Sequence, residues 1–174
     1  MSLKTTWKLM PVLLLAVGSG AAADRAGSSD HSADVAAIEK ALNDGCEAVV
    51  RADPDAMIAP FTKSKDMVMF DFSPPRLKNY AGLRAANEEF VKAIDGKGYC
   101  KYLEIHASFL GKDAAYTWAI LSAGGKLKTG QMLNLTIRST DVWKKQDGRW
   151  QIVHEHNSFP VDPFTGAADL KSDP

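Results

Sequence analysis

Apolar residues recur every three or four positions in the first part of the chain, and this spacing predicts three helices. The first is expected over residues 34–52, with Ser32 or Asp34 as its cap. Proline suits the first turn of a helix, so Pro54 marks a second, short helix over residues 54–61. A third is expected over residues 83–94. The N-terminal half is therefore predicted to be mainly helical.

Alternating apolar and polar positions predict strands in the rest of the chain. A short strand over residues 66–72 should end at Ser73-Pro74-Pro75, because proline cannot donate to a ladder. Four long strands follow, over residues 99–110, 114–123, 131–145 and 149–159. We expect tight turns at residues 111–113 and 146–148, and a loop bounded by Gly124-Gly125 and Gly130. Helices followed by long antiparallel strands indicate an α+β domain with a strongly curved sheet.

The composition fits one soluble globular domain of 174 residues, with 45% hydrophobic and 24% charged residues. Basic and acidic residues number 21 each, so no basic field is available to hold phosphates. We therefore expect no nucleic-acid partner.

The N-terminus has the pattern of a secretory signal peptide over residues 1–23. Lys4 and Lys8 precede a short apolar run, and Ala21-Ala22-Ala23 offers a cleavage site. Cleavage near Ala23 would place the protein in the periplasm or outside the cell, with no membrane partner and two more acidic than basic residues. An uncleaved N-terminal anchor is the alternative.

The polarity of the remaining segments predicts the bounds of the folded domain. Residues 24–33 are small and polar and predict a flexible lead-in with a solvated His31. The folded domain is expected over residues 34–166, and residues 167–174 should form a disordered tail. Export would permit a disulfide between Cys46 and Cys100, but both lie in burying patterns, and we favour two buried thiols.

The order of elements and the segment RSTDVWKKQDGRWQIVHEHNSFP resemble the SnoaL-like branch of the nuclear transport factor 2-like, or ketosteroid isomerase-like, superfamily. Met69-Phe70-Asp71 and Tyr80-x-Gly82 add to the resemblance. It implies a cone of three N-terminal helices packed in a strongly curved, mainly antiparallel sheet, with a pocket at the wide end. It also implies a homodimer through the outer sheet face. The family includes isomerases, cyclases, dehydratases, hydrolases and noncatalytic modules, so the resemblance names no substrate.

His154 and His156 stand two apart on the last predicted strand and should share a face with Trp150, Ile152 and Ser158. Strict alternation turns Glu155 to the other face. A metal site needs three or four ligands, and no further ligand follows the pair at a suitable spacing. The histidines could instead transfer protons in the pocket, or pin the strand by hydrogen bonds. We favour the structural role, and take His154 as the catalytic candidate if the protein is an enzyme.

Asp71 and Asp141 are the other catalytic candidates. Asp71 ends the first strand beside two prolines, and a carboxyl near an apolar pocket has a raised pKa and can act as a base. Capping of a loop is an equal alternative for Asp71. Asp141 could orient a histidine across the strands, while Arg138, three residues earlier, should start on the opposite face and pair with a carboxylate.

The candidate ligand-binding residues combine aromatic surface with polar ends: His156, Tyr80, Trp118, Arg138 and Ser158. We expect neither a cofactor nor a metal. The favoured interpretation is a pocket protein that binds or converts a small, mainly apolar organic molecule, by acid–base catalysis of the isomerase, hydrolase or dehydratase type. The alternative is a noncatalytic module for dimerisation or ligand binding.

Overall fold

The computed structural model describes residues 30–72 and 77–171. The predicted signal peptide, most of the lead-in and the Ser73-Pro74-Pro75 stop lie outside these residues. Helix α1 (Ser32–Arg51) buries Ile38, Leu42 and Cys46, which the helical period places on one face. It ends at Ala52 in the left-handed conformation, with φ 56°. The cap predicted from Ser32 or Asp34 does not form, because His31 occupies that position without a side-chain hydrogen bond.

Two further helices follow α1. Helix α2 (Pro54–Met57) is shorter than predicted and begins where Asp53 accepts a hydrogen bond from the Ala56 amide at 3.0 Å. Helix α3 (Asn79–Ala93) begins where the Asn79 side chain accepts from the Gly82 amide at 3.0 Å. None of the described helices is long and apolar enough to cross a membrane.

The described strands form one mixed sheet in the order β2-β1-β6-β5-β4-β3. Their bounds are β1 (Val68–Phe70), β2 (Leu77–Lys78), β3 (Tyr99–Phe109), β4 (Ala114–Lys126), β5 (Met132–Gln146) and β6 (Arg149–Ser158). Neighbouring strands run antiparallel except β1 and β6, which are parallel. The predicted α+β cone with a curved, mainly antiparallel sheet is confirmed.

Glycine residues shape two connections of the sheet, the β5–β6 hairpin and the β4–β5 connection. The β5–β6 hairpin turns at Asp147 and Gly148, both with positive φ, as predicted. The β4–β5 connection is shorter than predicted, because Gly124 and Gly125 continue strand β4. A Cβ at Gly124 would lie 2.0 Å from the Leu133 carbonyl oxygen, so only glycine fits this close strand approach.

Two β-bulges interrupt the alternation of the long strands. The register between β3 and β4 shifts around Leu103, and the register between β5 and β6 shifts around Val153. Trp143 of β5 pairs with Ile152 of β6, and the next β5 residue, Val142, pairs with His154. Val153 is therefore the extra residue on β6. A bulge residue reverses which side chains face inward beyond it. As a result, Glu155 and Asn157 share the inner face with Trp150 and Ile152.

The core lies between the helices and the inner face of the sheet. Its largest fully buried side chains include Trp143, Ile38 and Ile58. Trp150 and Phe109 close one end of this core, where His31 stacks on Phe109 with ring centroids 4.0 Å apart. The prediction of a solvated His31 is therefore wrong, because the ring covers apolar surface and approaches Asp34.

The C-terminal segment also folds back onto the domain. The Thr136 amide donates to the Leu170 carbonyl, and the Asp169 amide donates to the Pro160 carbonyl. Residues 167–171 are therefore held by backbone hydrogen bonds, in contrast to the predicted tail. Residues 172–174 lie outside the described part of the chain.

Cys46 and Cys100 form a disulfide that joins α1 to β3. The prediction of two buried thiols is therefore wrong. The buried face of α1 brings Cys46 directly against the start of β3, where Cys100 lies, and the two Cα atoms are 5.0 Å apart. The bridge spans 54 residues of sequence, and restricting so long a loop in the unfolded chain stabilises the fold.

Removal of this bridge is expected to lower stability without unfolding the protein. We predict that the Cys46→Ala, Cys100→Ala double variant loses about 2–4 kcal/mol of unfolding free energy in urea denaturation. Reductant should destabilise the wild type by a similar amount and leave the double variant unchanged. A wild type that reductant does not affect would contradict the role assigned to the bridge.

Candidate active site

A cavity of about 250 Å³ lies between the helices and the inner face of the sheet. Most of its wall is apolar and comes from both helices and strands, with Leu42, Phe61, Leu83, Phe90 and Ile137 among the lining residues. The disulfide also contributes to this wall. An apolar cavity of about 150 Å³ can hold benzene, so this one has room for a molecule of one or two rings.

Three carboxyl groups give the cavity a polar region. Asp71 follows β1, Asp141 lies on β5 and Glu155 lies on β6. Asp141 and Glu155 are direct cross-strand partners, a position that brings Cβ atoms to about 4.5–5.5 Å. None of the described residues that line the cavity is Lys, Arg or His. The three groups therefore have no basic partner among these residues.

Asp141 is held in place by hydroxyl groups. Thr117 donates to its Oδ2 at 2.7 Å, Ser139 donates to its Oδ1 at 3.3 Å, and the Trp143 indole donates to Thr117 at 3.0 Å. The carboxyl is 1% exposed. Burial raises the pKa of Asp141 to about 6, although both hydroxyl bonds favour the ionised form.

Glu155 is held beside it by Asn157, whose Nδ2 donates to Glu155 Oε1 at 2.7 Å. Burial raises the pKa of Glu155 well above its ordinary value, and the Asp141 charge raises it further. Two adjacent carboxyls in a poorly solvated site do not ionise together easily, because the charge of one raises the pKa of the other.

Asp71 and Tyr102 complete the polar region. Asp71 is half-buried, accepts one hydrogen bond from the Phe72 amide, and has a pKa raised by burial. Asp71 also lines the cavity, which is the position expected of a base that acts on a bound molecule. Tyr102 reaches the cavity from β3, and burial together with the neighbouring Asp141 and Glu155 charges raises its phenol pKa.

Both histidines of the HEH segment lie on the opposite, outer face of the sheet. The bulge at Val153 reverses the alternation, so the prediction that His154 and His156 share a face with Trp150 and Ile152 is wrong. His154 Nδ1 donates to the Val68 carbonyl oxygen at 2.6 Å, which ties β6 to β1. The Phe70 ring meets both imidazoles edge-on. Neither histidine lines the cavity.

Three more predicted ligand-binding residues share that outer face. Trp118 is 41% exposed and stacks on His106, with ring centroids 3.9 Å apart. Arg138 pairs in register with Ser158 and donates to the Phe159 carbonyl rather than to a carboxylate. The structure therefore gathers these residues on the outer face, away from the cavity.

Tyr80 lies neither in the cavity wall nor on the outer face of the sheet. It borders a separate polar cleft with Lys63 and Arg149, and the Lys63 ammonium lies 5.6 Å from the centre of its ring. Asp141 also orients no histidine, because Glu155 stands opposite it on the inner face.

Sequence reasoning missed Glu155, Asn157 and Tyr102. One signal was available on β5, where Ser139 and Asp141 continue the alternating series of Leu135, Ile137 and Trp143. Polar residues within an otherwise core-facing series indicate a buried polar site. The faces of Glu155 and Tyr102 depend on the bulges, which the alternation itself does not reveal.

The fold, a curved sheet with helices around a cavity, is the nuclear transport factor 2-like fold. The chain belongs to the SnoaL-like domain family, whose model matches residues 38–162. A comparison with curated protein sequences finds no match.

Solved structures share the fold at low sequence identity. A nuclear transport factor 2-like protein of unknown function from Pseudomonas putida KT2440 is 24% identical, with TM-score 0.70, covering 82% of this chain and 98% of its own. A proposed scytalone dehydratase from Novosphingobium aromaticivorans is 14% identical, with TM-score 0.68 and coverage of 75% and 87%. A type 2 hexachlorocyclohexane dehydrochlorinase is 15% identical, with TM-score 0.65 and coverage of 74% and 86%. At these identities the likeness concerns the fold.

The raised pKa of Glu155 predicts a specific pH dependence of stability. Its proton is lost at lower pH in the unfolded chain than in the folded one, so the free energy of unfolding falls as pH rises above the ordinary Glu range. Glu155→Gln resembles the protonated form and lacks this loss. We expect wild type and variant to be similar near pH 4, and the variant to be more stable by roughly 1 kcal/mol or more at pH 8.

Urea denaturation across this pH range measures the difference. Glu89→Gln is the matched control, because Glu89 is exposed on α3 and should give a difference that does not change with pH. A Glu155→Gln difference that is constant with pH would show that Glu155 is ionised in the folded protein at neutral pH.

Proposed function

We propose that this protein is an exported acid–base catalyst that acts on a small, mainly apolar organic molecule through the carboxyl groups of its cavity. The observation that carries the proposal is the cluster of Asp71, Asp141 and Glu155 in an apolar cavity without a basic partner among its described lining residues. Burying unpaired carboxyls lowers stability, so a cluster of this kind is better explained by function than by folding.

The environments of these carboxyls assign different roles to them. Asp71 is half-buried, and its raised pKa strengthens it as a base that accepts a proton from carbon. Glu155, whose pKa burial raises well above its ordinary value, is the hydrogen-bond donor for a substrate oxygen. Separated pKa values among neighbouring carboxyls are a general means of assigning acid and base.

Asp141 and Tyr102 support this pair. Asp141, with both oxygens held by hydroxyl groups, is a positioning residue whose charge raises the pKa of Glu155. The Tyr102 phenol remains neutral and adds a donor at the cavity wall. Removal of a proton from carbon next to a polarised oxygen function is the step common to isomerases and dehydratases. The dehydratase and dehydrochlorinase among the structural neighbours are consistent with such chemistry.

The disulfide supports the proposed location. Structural disulfides persist in oxidising compartments, and residues 1–23 have the pattern of a secretory signal. We therefore place the mature protein in the periplasm or outside the cell.

Proton abstraction from carbon can be tested without the natural substrate. 1-Indanone, a two-ring ketone that the cavity can hold, exchanges the hydrogens next to its carbonyl for deuterium when a base removes them. We expect wild-type protein to accelerate this exchange in D₂O, followed by NMR, and Asp71→Asn to reduce the acceleration by roughly 10²-fold or more.

His154→Gln is the matched control, because glutamine can still donate to the Val68 carbonyl while the imidazole is lost. It should exchange 1-indanone at the wild-type rate. If His154→Gln lost the acceleration and Asp71→Asn kept it, the catalytic roles assigned to the two sheet faces would be reversed.

The outer face of the sheet favours a second role, homodimerisation. His106, Trp118, Thr140, His156 and Phe70 form a row of register partners across the strands. Trp118 and Phe70 are 41% and 42% exposed, and Tyr116 and Val142 extend the apolar area. A wide exposed patch of aromatic and aliphatic side chains is typical of an interaction surface. A noncatalytic assembly role would use this face alone.

A charge in the middle of that row should prevent pairing of two copies. We expect the wild type to sediment as a dimer in analytical ultracentrifugation and Trp118→Glu to sediment as a monomer, because burying an unpaired carboxylate is costly. Phe164→Glu is the control, since Phe164 is 96% exposed and lies outside the sheet. A monomeric wild type would exclude this role at the concentrations measured.

A further inference from the structure

One buried polar atom of the cavity residue Asn157 has no partner within the part of the chain that the structure describes. Asn157 is 9% exposed, lines the cavity and uses its Nδ2 to hold Glu155. Its carbonyl oxygen, Oδ1, is the buried side-chain atom that lacks a hydrogen bond within the described residues. Leaving a buried acceptor unpaired is unfavourable, and native proteins rarely do so without a functional reason.

Three side-chain donors in this part of the structure are already used. Ser139 stands directly opposite Asn157, but its hydroxyl is directed to Asp141. Thr117 donates to the same carboxyl, and the Asn87 amide donates to the Leu83 carbonyl. These three donors are therefore occupied. Asn157 itself lines the cavity, so a hydroxyl group on a molecule held there is a candidate donor to Oδ1.

We propose that Asn157 selects ligands that carry a hydroxyl group, by accepting a hydrogen bond from that group at Oδ1. This inference rests on the proposed function, because it names the class of molecule that the same cavity takes. The ligand is then an apolar ring compound with a hydroxyl donor at its polar end, next to the Glu155 carboxyl. A simple hydrocarbon or a fully alkylated ether would leave Oδ1 unpaired.

The position of Asn157 gives this contact a role beyond affinity. The Asn157 amide joins the ligand hydroxyl to Glu155, since one end accepts from the ligand and the other holds the carboxyl. A bound hydroxyl therefore fixes the ring relative to the acid Glu155 and the base Asp71. Sites that hydrogen-bond a substrate hydroxyl discriminate strongly against analogues without it, because the buried partner is then left unpaired.

Two probes of nearly equal shape test the proposal: 2-naphthol, which donates a hydrogen bond, and 2-methoxynaphthalene, which cannot. Dissociation constants come from protein-observed NMR titration. We expect the wild type to bind 2-naphthol at least tenfold more tightly than the ether. Asn157→Leu, similar in shape but without the acceptor, should bind the two probes within about twofold of each other.

Asn134→Leu is the matched control. Asn134 lies on β5 outside the cavity lining and accepts from the Tyr99 hydroxyl, so its loss should leave the wild-type preference intact. The wild-type ratio tests the proposal even if Asn157→Leu does not fold. Equal wild-type affinities for the two probes would overturn it, and would mean that water or another group already satisfies Oδ1. A preference that survives Asn157→Leu, or failure of both probes to bind, would overturn it as well.

This test is separate from the test of catalysis. Acceleration of 1-indanone exchange without a preference for 2-naphthol would reject the ligand class and leave the acid–base function in place. A preference for 2-naphthol without any exchange would reject the proposed catalysis and identify a binding protein for hydroxylated ring compounds.

Discussion

The inward position of two polar side chains in the cavity, Glu155 and Asn157, depends on one inserted residue, Val153. Strand β6 begins with Trp150 and Ile152 packed inward, and the register shift beyond them turns Glu155 and Asn157 inward as well. Without the shift, strict alternation would put two histidines beside Asp141 and leave Glu155 on the outer face. One backbone irregularity therefore decides whether β6 contributes imidazoles or a carboxyl to the site.

The same irregularity separates two kinds of surface on a single sheet. Beyond the bulge the outer face carries His154 and His156, which pack against Phe70 and tie β1 to β6. The inner face carries acids that have no counter-charge among the described cavity residues. The two faces present different residues, so a pocket function and an interaction function can coexist without sharing residues.

The architecture could be predicted from the sequence because burial imposes a period on every helix and long strand. The four long strands, the Asp147-Gly148 turn and the approximate extents of α1 and α3 follow from that period and from turn chemistry.

The site could be predicted only in part. Asp141 is in phase with the core residues of β5, and Asp71 follows a short strand that ends at the cavity. Glu155 and Tyr102 lie beyond bulges, where counting residues from the last known inward position gives the wrong face. The Cys46–Cys100 pairing depends on how α1 lies against β3, which neither local pattern contains.

The remaining question is how a fold tolerates several buried carboxyls and an unpaired amide oxygen. The packed end of the core, with Trp143, Trp150 and the disulfide-linked α1, supplies apolar burial and restricts the unfolded chain. Trp143 also connects this core to the site, because its indole holds Thr117, which in turn holds Asp141. Trp143 therefore helps to orient the carboxyl whose charge raises the pKa of Glu155. The hydrogen bonds from Trp143 through Thr117 to Asp141 therefore link the stable core to the geometry of the site. This link lets the cavity hold polar groups that lower stability locally while the domain remains folded.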